Sequence, residues 1–390
     1  MINSRPSNHL PDPLRRARAF ALLVGAAALT CGLAWSEGLS IALIPPLDRP
    51  DVAASVGAFA RTFGLQVDEL TPEQLVNPAV FSPKRYPAAI YTGLERYVYE
   101  VFQPGDGAEA LLRYLGEGGT LIVSGVCWPF YRPFKWINGS LQRYDGTVPE
   151  FRGPKDAWLE KAMTQLNQSA TGSLNRFLGL NISGEGTTQF ESPDESIEFR
   201  VSEAGRKLFP SLPERFPFPH AGDLRFRPAS GHNLGEGVEF TAVAEAIGAS
   251  GRNYGAGICL VDHKGGTLAG GRVVYLWGTL VQGEIGQSLI IDSLRLAAQH
   301  ARLGGEAVRA AVEEGRRAAG DLAALAETVR KLDLYPERSY FERTAALLAR
   351  QVDFAVKAAE LGNVSRSREL LASAQRDGEF LRKRLAAAGW

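Results

Sequence analysis

Hydrophobic residues between positions 39 and 125 follow two alternating periods. Short apolar runs predict strands at residues 39–44, 65–70, 88–91 and 120–124. Between these runs, apolar residues recur every three or four positions at 51–63 and 106–115, and Thr71-Pro72-Glu73-Gln74 is a capping box that predicts the start of another helix. Strands and helices that alternate with short links predict a parallel sheet with right-handed crossovers.

The alternation stops after residue 127 and resumes near residue 238. The intervening stretch, 128–235, is rich in proline, glycine and aromatic residues and is predicted to be an insertion at the edge of the sheet. Within it, the pattern predicts short strands at 197–201 and 224–226. Beyond it, strands are predicted at 238–246, 257–261 and 272–276, followed by an amphipathic helix at 285–300.

The last part of the chain, residues 304–390, is alanine-rich and has no strand pattern. Helical periodicity predicts helices at 306–332, 336–361 and 365–388, and Gly362-Asn363 predicts a tight turn between the last two. Two interpretations of this segment remain open. It is either an arm for a protein partner or for self-association, or a buttress that packs against the α/β domain.

Length and charge narrow the class of protein. A chain of 390 residues has room for about two or three domains, and 45% hydrophobic residues are enough to bury a full core. Basic and acidic residues both number 43, so the net charge is zero. The balance removes the usual electrostatic argument for nucleic-acid binding, which needs a basic face.

The N-terminus resembles a targeting segment. Arg15, Arg16 and Arg18 precede residues 19–35, which carry no charge, and Ala34-Trp35-Ser36 offers small residues for cleavage. Residues 1–36 are therefore predicted to be a signal peptide that exports the protein to the periplasm or the cell exterior. An uncleaved membrane anchor is the alternative, because the uncharged run is close to the roughly 20 residues that span a bilayer.

The chemistry-bearing position is Cys127, which directly follows the predicted buried strand at 120–124. Many α/β enzymes hold a nucleophile at such a turn. Other candidate ligand-binding residues near this edge are Gly93, Glu95, Trp128, Tyr131 and Trp136. The aromatic residues of the insertion either line a ligand groove or form a small core under long loops.

Two stretches carry a family resemblance, Tyr91-Thr92-Gly93 and the run from Gly118 to Gly125 that leads through Val126 to Cys127. Residues 39–302 resemble the class I glutamine amidotransferase-like fold, a doubly wound, mostly parallel, flavodoxin-like sheet. Its relatives include the trimerisation domain of some β-galactosidases. The α/β domain is accordingly assigned to 37–302 and the helical segment to 304–390.

The same resemblance implies where catalysis would lie and why it is lost. The family places its nucleophile in Gly-x-Cys-x-Gly, but Trp128-Pro129 replaces the second half of that motif here. The family also supplies a His-x-Glu pair late in the domain, and none of the five histidines is followed by this pattern. The resemblance therefore implies a retained site without amide-transfer chemistry, in a carbohydrate context.

These observations predict an exported, non-catalytic module that binds a small molecule or glycan or serves in assembly. One alternative is an amide hydrolase that uses Cys127. A second is a glycoside hydrolase whose carboxylates come from Glu95, Glu236, Glu239 and Glu284. No cofactor is predicted, and the cysteines and histidines lack zinc-site spacing. Cys127 and Cys259 either pair or are separate core residues.

Overall fold

A computed structural model describes most of the chain after residue 37. The described residues are 38–44, 46, 50–93, 97, 107–125, 134–137, 140–143, 175, 178–182, 195–218, 228–232, 234–277, 283–303, 305–331 and 338–387. The predicted targeting segment, Glu95, Cys127, Trp128, Tyr131 and the predicted strand at 224–226 lie outside these ranges. Trp136 lies in a short strand of which the backbone alone is described.

The first half of the fold alternates strands and helices as the sequence predicts. The elements are β1 (Ser40–Leu43), α1 (Pro50–Thr62), β2 (Gln66–Glu69), α2 (Pro72–Val76), β3 (Ala88–Tyr91), α3 (Gly107–Gly116) and β4 (Thr120–Gly125). β2, β1, β3 and β4 pair in this order, all parallel, and β13 (Arg272–Trp277) extends the parallel half beside β4. The predicted α/β class is confirmed.

Local sequence signals explain where these elements begin and end. The predicted capping box is formed, because the Gln74 amide donates to Thr71 Oγ1 at 3.3 Å and the Thr71 amide donates to Gln74 Oε1 at 2.9 Å. Gly64 ends the segment after α1 with φ of +70°, a backbone conformation that favours glycine. β3 is buried at every position, as expected for a strand covered on both faces.

Beyond β13 the sheet continues with antiparallel strands. The long strands β11 (Val238–Gly248) and β12 (Asn253–His263) are joined by a short turn, so they form an antiparallel hairpin. β12 pairs with β13, and β11 pairs with β8 (Ile197–Val201), which pairs with β9 (Arg215–Phe218). Smaller strands of the insertion are β5 (Phe134–Ile137), β6 (Ser140–Arg143), β7 (Asn181–Ile182) and β10 (Ala229–Ser230). The sheet is therefore mixed, with a parallel and an antiparallel half.

Further helices pack against the sheet. α4 (Glu203–Leu208) follows β8, a 3-10 turn (Gly266–Leu268) precedes β13, and α5 (Gly283–His300) follows it. α1 contacts α5, which also contacts β3 and β4, whereas α2 contacts α3. Within the described ranges, no helix combines the length and the apolar character needed to span a bilayer.

The C-terminal helices α6 (Glu306–Lys331), α7 (Arg338–Glu360) and α8 (Val364–Ala387) match the predicted segments and pack around their own apolar core. The predicted turn between α7 and α8 contacts the α/β domain. Asn363 Nδ2 donates to the carbonyl oxygens of Phe63 and Gly64 at 3.2 and 2.9 Å, and the Leu39 amide donates to the Leu361 oxygen at 3.0 Å. The base of the helical segment is thus anchored on the α/β domain.

Candidate functional site

The parallel strands end together at one edge of the sheet, which is called the carboxyl edge below. Gly125, the last residue of β4, pairs with Trp277, the last residue of β13, and Val123 pairs with Tyr91, the last residue of β3. β4 is a central strand between β3 and β13, and Cys127 comes two residues after its end. The strand beside the predicted nucleophile is confirmed, while Cys127 itself lies outside the described residues.

Gly93, a predicted ligand-binding residue, leaves room for a tyrosine ring. A Cβ atom at this position would overlap the hydroxyl end of the Tyr91 side chain. The Tyr91 ring meets Tyr97 edge to face, with centroids 5.5 Å apart, and the Tyr97 hydroxyl donates to the Gly107 carbonyl at 2.8 Å. Packing of the end of β3 against the start of α3 therefore explains the glycine.

Thr92, between Tyr91 and Gly93, carries an unsatisfied polar group at the carboxyl edge. The residue is 1% exposed, and its Oγ1 atom has no hydrogen-bond partner among the described residues. A buried hydroxyl without a partner costs about 1–3 kcal/mol, so proteins rarely keep one without a reason. Sequence reasoning missed this residue as a functional candidate. The available signal was a polar residue placed directly after an apolar strand.

Aromatic residues pack together at the carboxyl edge, on the side of the antiparallel strands. Trp277 is fully buried, and its ring lies 6.0 Å from the Phe199 ring at an angle of 77°. Phe199 in turn lies 5.2 Å from Phe216. Phe209 and Phe216, two of the insertion's aromatic residues, are buried in the main core. These two residues therefore belong to the main core, and the separate small core that the sequence predicted is not what buries them.

His263 and His300 lie at the opposite edge of the sheet. His263 follows Asp262, which lies opposite Arg272 at the start of β13 in the sheet. Nε2 of His263 lies 3.1 Å from the Leu178 carbonyl oxygen. Nε2 of His300 lies 2.8 Å from the carbonyl oxygen of Gly270. Burial lowers the pKa of both imidazoles. Because β4 is about 17 Å long at ~3.3 Å per residue, neither histidine is within hydrogen-bond reach of its carboxyl end.

Two of the predicted glycosidase carboxylates, Glu239 and Glu284, are also separated. Glu239 of β11 lies opposite Asp262 of β12 in the sheet, near the starts of the parallel strands. Lys264 Nζ lies 3.6 Å from the Glu239 carboxylate. Glu284 lies in the first turn of α5, whose other end is His300, about 24 Å away at ~1.5 Å per residue. The carboxyl groups of glycosidases are at most about 9.5 Å apart. Glu236 is exposed, three residues before Glu239, and Glu95 lies outside the described residues.

Cys259 is a free thiol in the middle of β12, fully buried between Ala242 of β11 and Tyr275 of β13. Burial strongly raises the pKa of this thiol, so it stays protonated and unreactive at neutral pH. Its interpretation as a small core residue is supported by this packing. Across the part of the chain that the structure describes, no group of three potential metal ligands comes together.

Comparison with known proteins adds no identification. No protein-family model and no curated protein matches this chain.

Proposed function

We propose that this protein is an exported, amidotransferase-like module that has lost amide transfer and binds a glycan or small molecule at the carboxyl edge. The strand order supports the proposed ancestry. β2-β1-β3-β4-β13 is the order 2-1-3-4-5 of flavodoxin-like, doubly wound sheets. With right-handed crossovers, α1 lies on one face and α2 and α3 on the other, and the contact of α1 with α5 agrees with this arrangement.

The position of Thr92 carries the proposal of a ligand site. In doubly wound sheets, ligands bind beyond the carboxyl ends of the strands where the chain connections diverge. Here that switch point lies between β1 and β3, since β1 connects outward to β2 and β3 connects the other way to β4. Thr92 directly follows β3 at this point, and its hydroxyl meets no hydrogen-bond partner in the described part of the chain. A sugar hydroxyl both donates and accepts, so it would satisfy the threonine.

The loss of amide transfer is supported by two observations. Trp128-Pro129 departs from the family motif, and proline removes one of the amides that could hold an oxyanion. His263 and His300 belong to the other edge of the sheet, so neither provides the base that a cysteine nucleophile needs. The glycan part of the proposal rests on the resemblance to β-galactosidase trimerisation domains.

Replacement of Thr92 by valine should separate ligand binding from stability. Valine has nearly the same shape and removes a buried hydroxyl without a partner, so stability should be unchanged or higher by about 1 kcal/mol. Lactose affinity, measured by titration calorimetry, should fall at least about fivefold if the hydroxyl binds a sugar, the order expected for one lost hydrogen bond.

Thr120→Val is the matched control, because Thr120 is fully buried and its Oγ1 also lacks a partner among the described residues. Thr120 is the first residue of β4 and so lies away from the carboxyl edge. It should show the same stability change as Thr92→Val with unchanged lactose affinity. Equal affinities of all three proteins would contradict the ligand site at Thr92, and no lactose binding by the natural protein would contradict the galactoside part.

The second candidate function, an amide hydrolase that uses Cys127, is favoured by Gly125-Val126-Cys127 after a central strand. We expect iodoacetamide at neutral pH to alkylate Cys127 no faster than a free thiol, whose pKa is about 8.5. Peptide mapping distinguishes Cys127 from Cys31 and from buried Cys259, and Cys127→Ser confirms the assignment. Labelling more than about tenfold faster than that of glutathione would show an activated thiolate and support the hydrolase.

A further inference from the structure

The surface of the C-terminal helical hairpin exposes large apolar side chains. Among the described residues, the exposed ones are Tyr340, Leu347 and Phe354 of α7 and Phe380 of α8, with exposed fractions of 46%, 61%, 36% and 55%. The three residues of α7 recur every seven positions, which is two helical turns, so they form a stripe along one side of the helix. These four residues are called the hairpin face below.

The hairpin face points away from α6. On α7, Val356 is the residue that meets α6, since a Cβ atom at Gly315 would lie 2.5 Å from its Cγ2. Phe354 is two residues, or about 200° of helical rotation, from Val356. On α8, the cleft shared with α6 is lined by Gln375, Glu379 and Arg382. Phe380 is rotated about 100° from Glu379. The stripe and Phe380 thus share the side of the hairpin that α6 leaves open.

Basic residues flank this face. Residues three or four positions apart are neighbours on a helix surface. Within α7 and α8, the acidic residue at such a spacing from the hairpin face is Asp377. Lys357, a basic residue at such a spacing, forms an ion pair with Asp353 at 2.8 Å. The other basic neighbours form no ion pair with a described carboxylate: Arg343, Arg350, Arg376, Lys383 and Arg384. Arg384 lies over the Phe380 ring, 5.7 Å from its centroid. The face is therefore apolar with a positive border.

We propose that the hairpin face binds an acidic amphipathic helix of a partner protein. A helix whose apolar stripe is bordered by carboxylates complements both the apolar residues and the cations around them. A second copy of this chain is disfavoured, because pairing two such faces brings the same cations together. The distance from Tyr340 to Phe354 is about 21 Å at ~1.5 Å per residue, which suits a partner helix of about four turns.

The contact with the α/β domain favours a helix over a membrane surface. The Phe354 ring stacks on Phe63 at the end of α1, with centroids 4.8 Å apart and planes at 6°. The Phe354 end of the stripe therefore abuts the α/β domain, which favours an occupant as narrow as a single helix over a flat bilayer. This inference goes beyond the proposed ligand site at Thr92 and is independent of it.

Binding of a designed peptide to the full chain tests the proposal. The probe is a fluorescein-labelled helical peptide of about 18 residues with one leucine stripe flanked by glutamates, compared with the same peptide carrying lysine at every glutamate position. Fluorescence anisotropy should show binding of the glutamate peptide at least about tenfold tighter than that of the lysine peptide, with the preference weakening as salt increases.

Variants locate the binding site. Leu347→Glu and Phe380→Glu should each weaken binding at least about tenfold, because each places a carboxylate within the apolar face. Ala324→Glu on the exposed side of α6 adds the same charge elsewhere and should leave binding within about twofold. Thermal unfolding of each variant verifies that it is folded.

Three results would overturn the proposal. The first is equal binding of the two peptides or no effect of Leu347→Glu. The second is a dimer in sedimentation that Leu347→Glu abolishes, which assigns the face to a second copy. The third is binding to phosphatidylglycerol vesicles that the same variant abolishes, which assigns it to a membrane. Lactose binding of Leu347→Glu should equal that of the natural protein, so failure here is distinct from failure of the ligand site.

Discussion

Replacement of Asp292 by alanine should lower the free energy of unfolding by about 3–5 kcal/mol. Asp292 lies in α5 and is 1% exposed. Its carboxylate accepts hydrogen bonds from the Ser211 amide at 3.0 Å and the Ser211 hydroxyl at 3.3 Å, and Arg295 Nε lies 3.5 Å away. Alanine would leave the largely buried Arg295 guanidinium without this carboxylate and the Ser211 amide without its acceptor.

The large effect follows from the position of Asp292, which lies in α5 where this helix contacts both α4 and α7. Arg295 also donates to the Leu208 carbonyl at the end of α4, at 2.5 Å. Glu360, at the end of α7, interacts electrostatically with both Asp292 and Arg295, and Lys357 of the same helix interacts with Asp292. The loss of one carboxylate therefore weakens the contacts of α5 with both α4 and α7.

The pH dependence of stability should change as well. Burial raises the pKa of Asp292 and of Glu360 despite the nearby cations. Each native carboxyl then binds its proton more tightly than in the unfolded chain, so its contribution to stability is fully present below the unfolded pKa of about 4 and decreases as the pH rises through the native pKa. Asp292→Ala removes one of these two groups. The stability that the variant loses should therefore be larger at about pH 4 than at neutral pH.

Urea unfolding at several pH values measures both effects. Asp321→Ala is the control, because Asp321 is an exposed acid on α6, and it should change stability by less than about 0.5 kcal/mol. A loss of less than about 1 kcal/mol for Asp292→Ala at neutral pH would show that the buried charge of Asp292 costs nearly as much as its partners return.

The parallel half of the sheet could be predicted because its signals are local. Each strand is a short apolar run bounded by turn residues, and the Thr71 capping box marks the start of α2 within four residues of sequence. The strand at 88–91 and the strand at 197–201 appear at the predicted positions as β3 and β8. Apolar periodicity also placed α6, α7 and α8, because each helix has one face buried by its neighbours.

The arrangement of the candidate site could not be predicted, because it depends on pairing between distant segments. The position of His263 depends on the antiparallel direction of β12, which brings this residue beside the starts of β13 and β4. Gly93 looked available for a ligand, whereas the Tyr91 side chain fills the space above it. Thr92 is notable because no described residue bonds to its hydroxyl, and no sequence pattern reveals this.

The docking of the C-terminal segment depends on similarly distant contacts. Gly362-Asn363 predicted a turn, and the turn is formed between α7 and α8. Its contact with Phe63 and Gly64 joins residues about 300 positions apart, as the Asn363 hydrogen bonds show. Such a contact has no local signal, because an asparagine in a turn satisfies the same sequence preference whether or not it meets another domain. Anchoring at the base is compatible with an interaction face further along the same helices.

Replacement of Trp277 by alanine should cost about 3–5 kcal/mol of stability and leave lactose affinity within about twofold. Trp277 lies at the carboxyl edge, where an aromatic side chain either belongs to the core or lines a ligand groove. It is fully buried, and Phe199 packs on it edge to face. Gly257 leaves space for both rings, since a Cβ atom there would overlap Phe199 and lie 2.8 Å from Cε3 of Trp277. This packing favours the core.

A double-mutant cycle with Phe199→Ala separates the two roles of Trp277. If the rings form one packed unit, the double variant should be less destabilised than the sum of the single variants by about 1 kcal/mol, because the first substitution already removes their contact. Tyr340→Ala, at an exposed aromatic residue, serves as the control and should cost less than about 1 kcal/mol. The opposite pair of results would place Trp277 in the binding site. These results are a small stability loss for Trp277→Ala and a fall in lactose affinity as large as that of Thr92→Val, because a side chain that contacts the ligand affects affinity more than stability.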